Sequence, residues 1–298
     1  MDFIEKGRRR LPIARVILAN HAGFCFGVKR AVDMCYENAG ETGKVYTLGP
    51  IIHNDEVVSE LENKGVHAVK EDELSGIDGD GLMIIRSHGV SEAVEKSLSD
   101  AGFEIKDATC PFVKKIHRIV DEYSRKGYFV LVTGDEAHPE VIGICGHCAT
   151  DRIAVVSDEE EIDRALSSGG ENLLVVSQTT FNLKKFKYLV EIIEKKRYYK
   201  AVCIQNTICN ATEERQNEAE RLSENCDSMI VIGDKNSSNS KKLFDICTHN
   251  CENTFFVQTI DELMPNARNL HGRVGITAGA STPNNIIEEV SRYVRDEL

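Results

Sequence analysis

Apolar positions in this chain gather in short runs separated by longer stretches with helical spacing. Val16-Ile17-Leu18, Val45-Tyr46-Thr47-Leu48, Phe129-Val130-Leu131-Val132-Thr133, Ala201-Val202-Cys203-Ile204 and Met229-Ile230-Val231-Ile232 read as buried strands. Further strands are expected at 173–177 and 274–278. Residues 55–64, 91–101, 113–126, 159–168, 211–224, 240–250 and 285–295 read as helices. Strands alternating with helices predict an α/β fold of parallel sheets joined by right-handed crossovers. Ligands bind such sheets at the carboxyl ends of the strands.

The pattern also recurs. Cys25, Cys110 and Cys209 each follow an apolar run and precede a helical stretch, and a glycine stands 24 residues after each: Gly49, Gly134 and Gly233. Four residues beyond those glycines come His53, His138 and Ser237. A third apolar run in each unit ends at Ser87-His88-Gly89, Gln178-Thr179-Thr180 and Ala280-Ser281-Thr282. The chain therefore reads as a threefold repeat. The expected parts are a tail at 1–13, then α/β repeats at 14–108, 109–207 and 208–298, each with a small parallel sheet flanked by helices around a central cavity. The strand before each cysteine is free to pair with a neighbouring repeat. Length alone, at about 150 residues per domain, would have suggested two domains.

Composition narrows the function. With a net charge of −12 over 298 residues, the chain lacks the basic surface that binds nucleic acid or anionic membrane. No apolar run approaches the roughly 20 residues of a membrane span. Arg8-Arg9-Arg10 is followed by Leu11-Pro12-Ile13-Ala14 and then Arg15, too short a segment for a secretion signal. Ten cysteines without such a signal point to a reducing, cytoplasmic setting, where thiols pack, react or bind metal.

A helix start lowers a thiol's pKa through its unpaired amides and dipole, so three cysteines at three helix starts suggest thiolates converging on a soft metal centre. Zinc takes four protein ligands, or three plus water; a four-iron cluster held by three cysteines would leave one iron open. Cys145-Gly146-His147-Cys148, with Cys247, His249 and Cys251, offers a weaker zinc alternative. Cys247 and Cys251 fall in a helical pattern, and Cys35, Cys203 and Cys226 fall in helical or strand patterns, where burial is expected. The strand-end loops supply His53, His88, His138, Thr179, Thr180, Ser237, Ser238, Asn239 and Ser281, a neutral donor set resembling a phosphate cradle without a nucleotide-binding glycine motif. Glu140 is the one carboxylate noted beside these donors. It is either a first-turn helix acid or a proton donor. An iron-sulfur sensor or carrier, and a zinc hydrolase on the same thiolates, are the competing classes.

The chain resembles the LytB/IspH family, 4-hydroxy-3-methylbut-2-enyl diphosphate reductases, across roughly residues 15–284. The resemblance rests on Gly23-Phe24-Cys25-Phe26-Gly27-Val28, Gly49-Pro50-Ile51-Ile52-His53-Asn54, Arg86-Ser87-His88-Gly89-Val90, Ala108-Thr109-Cys110-Pro111, His138-Pro139-Glu140-Val141, Ser177-Gln178-Thr179-Thr180, Ile208-Cys209-Asn210-Ala211-Thr212, Asn236-Ser237-Ser238-Asn239-Ser240 and Gly279-Ala280-Ser281-Thr282-Pro283. It implies one [4Fe-4S] cluster on Cys25, Cys110 and Cys209 with an open iron site. It also implies a diphosphate held by His53, His88, His138, Ser237, Ser238, Asn239 and Ser281, and proton transfer through Thr179 and Glu140. The implied reaction is reductive dehydroxylation of an allylic diphosphate to isopentenyl and dimethylallyl diphosphates, the last step of the non-mevalonate pathway, with a ferredoxin- or flavodoxin-type electron donor.

Overall fold

A computed structural model describes residues 13–40, 44–77, 79–167 and 170–296 of the chain. The expected tail up to residue 12, and the last residue of the helix expected at 159–168, lie outside these. Strand β1 (Ile13–Leu18) leads to Cys25 and helix α1 (Phe26–Asn38). Then come β2 (Val45–Leu48), α2 (Asp55–Asn63), β3 (Val66–Val69), β4 (Leu82–Ile85), α3 (Glu92–Asp100) and β5 (Glu104–Asp107), which ends just before Cys110. The order returns in α4 (Pro111–Arg125), β6 (Phe129–Thr133), α5 (Pro139–Cys145), β7 (Ile153–Val156), α6 (Glu159–Leu166), β8 (Gly170–Ser177), α7 (Leu183–Lys196) and β9 (Tyr199–Ile204). After Cys209 it comes a third time: α8 (Asn210–Ser223), β10 (Ser228–Ile232), α9 (Ser238–Asn250), β11 (Thr254–Val257), α10 (Ile260–Leu263), β12 (Gly272–Ala278) and α11 (Asn284–Asp296).

Three four-stranded sheets result, ordered β3-β2-β4-β5, β7-β6-β8-β9 and β11-β10-β12-β1, and every pairing is parallel. The strand ahead of each cysteine completes the sheet of the preceding pass. For β1 that means closing the last sheet, which it joins along β12 from Ile13–Gly272 to Leu18–Ile276.

By contacts the chain divides into two compact units, residues up to Phe24 with those from Glu214 onward, and Cys25–Glu213. In the first unit all five residues of β10 are buried, as expected for a parallel strand covered on both faces. Helix α11 presents Ile286, Ile287, Val290 and Val294 to Ile230, Ile276 and their neighbours, a helical spacing on one face. Each fully buried aliphatic side chain contributes roughly 1.5–3 kcal/mol. In the second unit, Leu131, Val175, Phe186 and Leu189 form one core and Val130, Val132, Val141 and Ile144 another, on opposite faces of β6. These cores hold the strand ends, and hence the loops that follow them, in fixed positions.

Candidate active site

Several helices here begin with a side chain that closes the first turn: Asn54 accepts from the Val57 amide, Ser91 from Val94 and Asn182 from Lys185. Helices α1 and α4 begin instead with Cys25 and Cys110, and neither side chain caps its helix. The Cys110 amide donates to the Ser87 carbonyl at 3.0 Å, and the Cys209 amide to the Thr179 carbonyl at 3.1 Å. Each of these cysteines is thus fastened to the strand-end loop of the preceding sheet. Gly27 lets α1 approach Cys110 closely, because a Cβ there would stand 2.6 Å from the Cys110 sulfur.

The three cysteines are half-buried, and their thiols sense one another. Burial, with a smaller push from Cys25 and Cys209, drives the Cys110 thiol up to about 11, against the pull of the Phe112 and Val113 amides. The Cys209 thiol is also raised, first by burial, despite its 3.1 Å contact with the Thr212 hydroxyl. The expectation that helix starts lower these thiol pKa values is therefore corrected: desolvation outweighs the amide and dipole effect. Thiols held this way ionise at neutral pH when a positive centre supplies the compensation, so the donor set fits a metal cluster. Among the described residues the group whose ligand atoms all lie within 4.8 Å of one another is His53, His88 and His138. The cysteines are not in that group.

The histidine rings stand 5.2, 5.3 and 6.1 Å apart between centroids. Burial, then His138, His53 and Arg86, holds His88 well below the usual imidazole range, and its Nδ1 has no hydrogen-bond partner among the described residues. His138 begins α5, where its Nδ1 accepts from the Glu140 amide at 3.1 Å, leaving the proton on Nε2. Three imidazoles held beside the Arg86 guanidinium are a receptive environment for an anion. Arg86 belongs to one of the motifs that carry the resemblance, but its electrostatic part was missed; the close approach of Gly49, at φ 70°, was the available signal, since a Cβ there would stand 2.6 Å from Arg86 Nη1.

Glu140 lies in the first turn of α5, yet its carboxyl leaves the helix to bind Thr179. One oxygen accepts from the Thr179 amide and the other from its hydroxyl, both at 2.6 Å. His138 performs the capping, and Glu140 is the acid of the helix's first turn as well as the partner of Thr179. Burial pushes the Glu140 carboxyl up to about 7, against the opposing effect of both Thr179 bonds. Its charge in turn raises Cys209. Cysteines, histidines and the Glu140–Thr179 pair therefore form one constellation within residues 25–213. Asp55 occupies the position equivalent to Glu140, two residues past His53, and was overlooked; it is exposed on α2.

In the other unit, Ser237 caps α9 by accepting from the Ser240 amide at 3.4 Å, and Ser238 is its first residue. Among the described residues, the buried Asn239 has a partner for neither side-chain amide atom, and the buried Ser281 hydroxyl is likewise unmatched. Ser240 fits against two glycines, since a Cβ on Gly233 or Gly279 would come within 2.3 or 2.0 Å of its oxygen. Unsatisfied donors beside a helix start are suited to an anion.

The other cysteines stay apart from this chemistry. Cys35 and Cys247 are buried, with thiols pushed up to about 12 by burial. Cys145 ends α5, where burial pushes its thiol up to about 11. Among the described residues, neither Cys145–Cys148 nor Cys247–Cys251 joins a group of three ligand atoms within one ion's reach. Cys251 follows α9 rather than lying in it, and Cys226 lies half-buried between α8 and β10, not within a helix or strand.

Comparison with known proteins places these features in context. Residues 16–295 match the LytB protein family. A 4-hydroxy-3-methylbut-2-enyl diphosphate reductase of Caldanaerobacter subterraneus subsp. tengcongensis is 45% identical over 282 residues, 94% of this chain and 96% of the relative. That of Aquifex aeolicus is 44% identical over 284 residues, covering 94% and 96%. A solved structure described as (E)-4-hydroxy-3-methyl-but-2-enyl diphosphate reductase, the terminal enzyme of the non-mevalonate pathway, has a TM-score of 0.69 at 44% identity and covers 95% of this chain and 99% of its own. The Plasmodium falciparum E-1-hydroxy-2-methyl-but-2-enyl-4-diphosphate reductase has a TM-score of 0.85 at 28% identity, covering 95% and 88%. The chain belongs to the LytB protein family.

Proposed function

We propose that the chain is a 4-hydroxy-3-methylbut-2-enyl diphosphate reductase. It removes the allylic hydroxyl as water, consuming two electrons and two protons, and yields isopentenyl and dimethylallyl diphosphates at the last step of the non-mevalonate pathway. The observation that carries the reading is the Glu140–Thr179 pair beside three histidines and three helix-start cysteines. Cys25, Cys110 and Cys209 would hold one [4Fe-4S] cluster. When bound, it supplies single-electron relay and an open Lewis-acidic iron for the hydroxyl.

The protein's own groups account for binding and proton supply. His138, protonated on Nε2, and His53 and His88, each through a ring N–H, donate to phosphate oxygens. Ser237, Ser238, Asn239 and Ser281 are assigned to phosphate oxygens on their donor chemistry. Charge-assisted bonds of this kind contribute about 1.5–3 kcal/mol each. With a pKa of about 7, Glu140 carries its proton for much of the time at neutral pH. Its acid O–H then donates to Thr179 Oγ1, and the threonine hydroxyl is released to donate onward. Thr179 can thus pass a proton from a buried acid to substrate.

A ferredoxin- or flavodoxin-type carrier would deliver the electrons. A reducing, cytoplasmic setting suits the ten cysteines, and among the described residues no helix is long and apolar enough to cross a membrane. Anaerobic purification with iron and sulfide analysis, followed by turnover with reduced methyl viologen, tests the reading. Expected are about four irons per chain and both five-carbon diphosphates as products. Stoichiometric zinc without iron, or a replete cluster that leaves the substrate unchanged, would contradict it.

A further inference from the structure

The electrons must enter somewhere, and two exposed aromatic rings stand beside two of the cysteines. Phe26 and Phe112 are 65% and 44% exposed, the only phenylalanines among the described residues that stand so far into solvent. One follows Cys25 directly and the other follows Cys110 by two residues. The starts of α1 and α4 that carry them are in contact, because Gly27 packs on the Cys110 sulfur. Arg30 also reaches across to the carbonyls of Thr109 and Asp107, at 3.3 and 3.1 Å.

Charge is the second observation. Helix starts favour acids, and α2, α3 and α6 follow the rule with two or three in the first turn. Helices α1 and α4 have none, as is also true of α7, α9 and α11. They carry cations at matching positions instead, Lys29-Arg30 at four and five residues after Cys25 and Lys114-Lys115 at four and five after Cys110, with Arg118 one turn on. Lys29 pairs with Asp33 and Lys114 with Asp107, and Asp121 is taken by Arg125. Lys115 and Arg118 are exposed and hold no ion pair among the described residues, and Arg30 donates to backbone carbonyls rather than to an acid. The corresponding positions after Cys209 are Glu213 and Glu214; α7 and α9 also begin with lysine pairs, Lys184-Lys185 and Lys241-Lys242, but neither of these pairs follows a cysteine.

In a chain of net charge −12 this basic rim around two aromatic rings is suited to a negatively charged partner that the whole molecule would otherwise repel. We infer that the starts of α1 and α4 form the docking surface for a small acidic one-electron carrier protein, with Phe26 and Phe112 as apolar anchors and Lys29, Arg30, Lys115 and Arg118 as the steering rim. Electron transfer weakens steeply with distance, and here the contact lies within two residues of two sulfurs. The inference rests on the cluster assignment above but is tested separately from it.

Bacterial flavodoxin and, in parallel, bacterial ferredoxin serve as carriers for cluster-replete protein. In a Lys29→Glu/Lys115→Glu variant the KM for the carrier should rise about tenfold or more, with methyl-viologen-driven turnover and the KM for substrate unchanged. The Kd for oxidised carrier, read by fluorescence anisotropy, should weaken by the same factor, and wild-type binding should weaken with added salt. Phe26→Ala/Phe112→Ala should weaken binding with little change in its salt dependence. Binding of neither carrier, unchanged carrier Kd in both variants, or a parallel loss of viologen-driven turnover would overturn the docking surface. Wild type that forms no product with methyl viologen would instead overturn the reductase reading, while the Kd comparison would still decide the surface.

Discussion

Helices α5 and α9 begin at equivalent places in the repeat, four residues past the glycine that follows β6 or β10, and each is capped by a side chain from that position, His138 or Ser237. Two residues on, they diverge. At α5 that residue is Glu140, buried and bonded through both oxygens to Thr179. At α9 it is Asn239, buried with both amide atoms unmatched among the described residues. A satisfied carboxyl with a raised pKa can store a proton; an unsatisfied amide can only wait for a ligand. In the proposed reaction, one scaffold position would serve proton supply in one pass and anion recognition in another, through the residue alone.

The largest effect expected is on the framework both helix starts serve. Cys25→Ser, Cys110→Ser and Cys209→Ser should each lose or degrade the cluster, measured as iron and sulfide per chain. Normal iron content in any one would remove that residue from the ligand set. Next is Glu140→Gln, which keeps shape but cannot cycle a proton; turnover should fall about 10²–10⁴-fold with the cluster absorption intact. The same acid predicts the pH profile. Because the protonated form is the donor, wild-type kcat should fall as pH rises through about 7, and the residual activity of Glu140→Gln should not show that fall.

Stability gives a third contrast. A carboxyl raised from 4.5 to about 7 binds its proton more tightly in the folded state. Folding is therefore favoured by this group below pH 4.5 and loses that advantage as pH rises to about 7, by roughly 3 kcal/mol in all. Urea unfolding of wild type and Glu140→Gln across that window should show the variant gaining relative stability as pH rises; a constant difference would mean that Glu140 is not titrating there. Asn239→Ala comes next. Loss of a bond to bound phosphate should weaken substrate affinity by about 1–3 kcal/mol, while removal of unmatched buried groups should leave melting unchanged or raised. Smallest is Cys145→Ser, for which iron content and turnover should stay normal.

Much of this arrangement could be read from the chain because the repeat is written in residue spacing: cysteine, glycine and polar loop residue recur at fixed intervals even where the residues between them differ. Strands β3, β7 and β11 were not anticipated. Each has four residues with partly exposed positions at a sheet edge, too short for a two-residue period to stand out. Helix α7 was missed as well, and α5, whose seven residues offer barely two turns, was anticipated only through the first-turn reading of Glu140. The sequence leaves two roles open for Glu140, because its partner Thr179 lies 39 residues away and only the fold joins them. Asp55, at the equivalent position, shows why spacing alone is insufficient: it is exposed on α2, whereas Glu140 is buried.

The division of labour between the two helix starts is tested most directly by steady-state kinetics of cluster-replete Glu140→Gln and Asn239→Ala, measured side by side with reduced methyl viologen. Glu140→Gln should lower kcat by about 10²–10⁴-fold with KM little changed, and Asn239→Ala should raise KM with kcat close to wild type. If both substitutions act on the same parameter, or if Glu140→Gln turns over at the wild-type rate, proton supply does not reside at the start of α5.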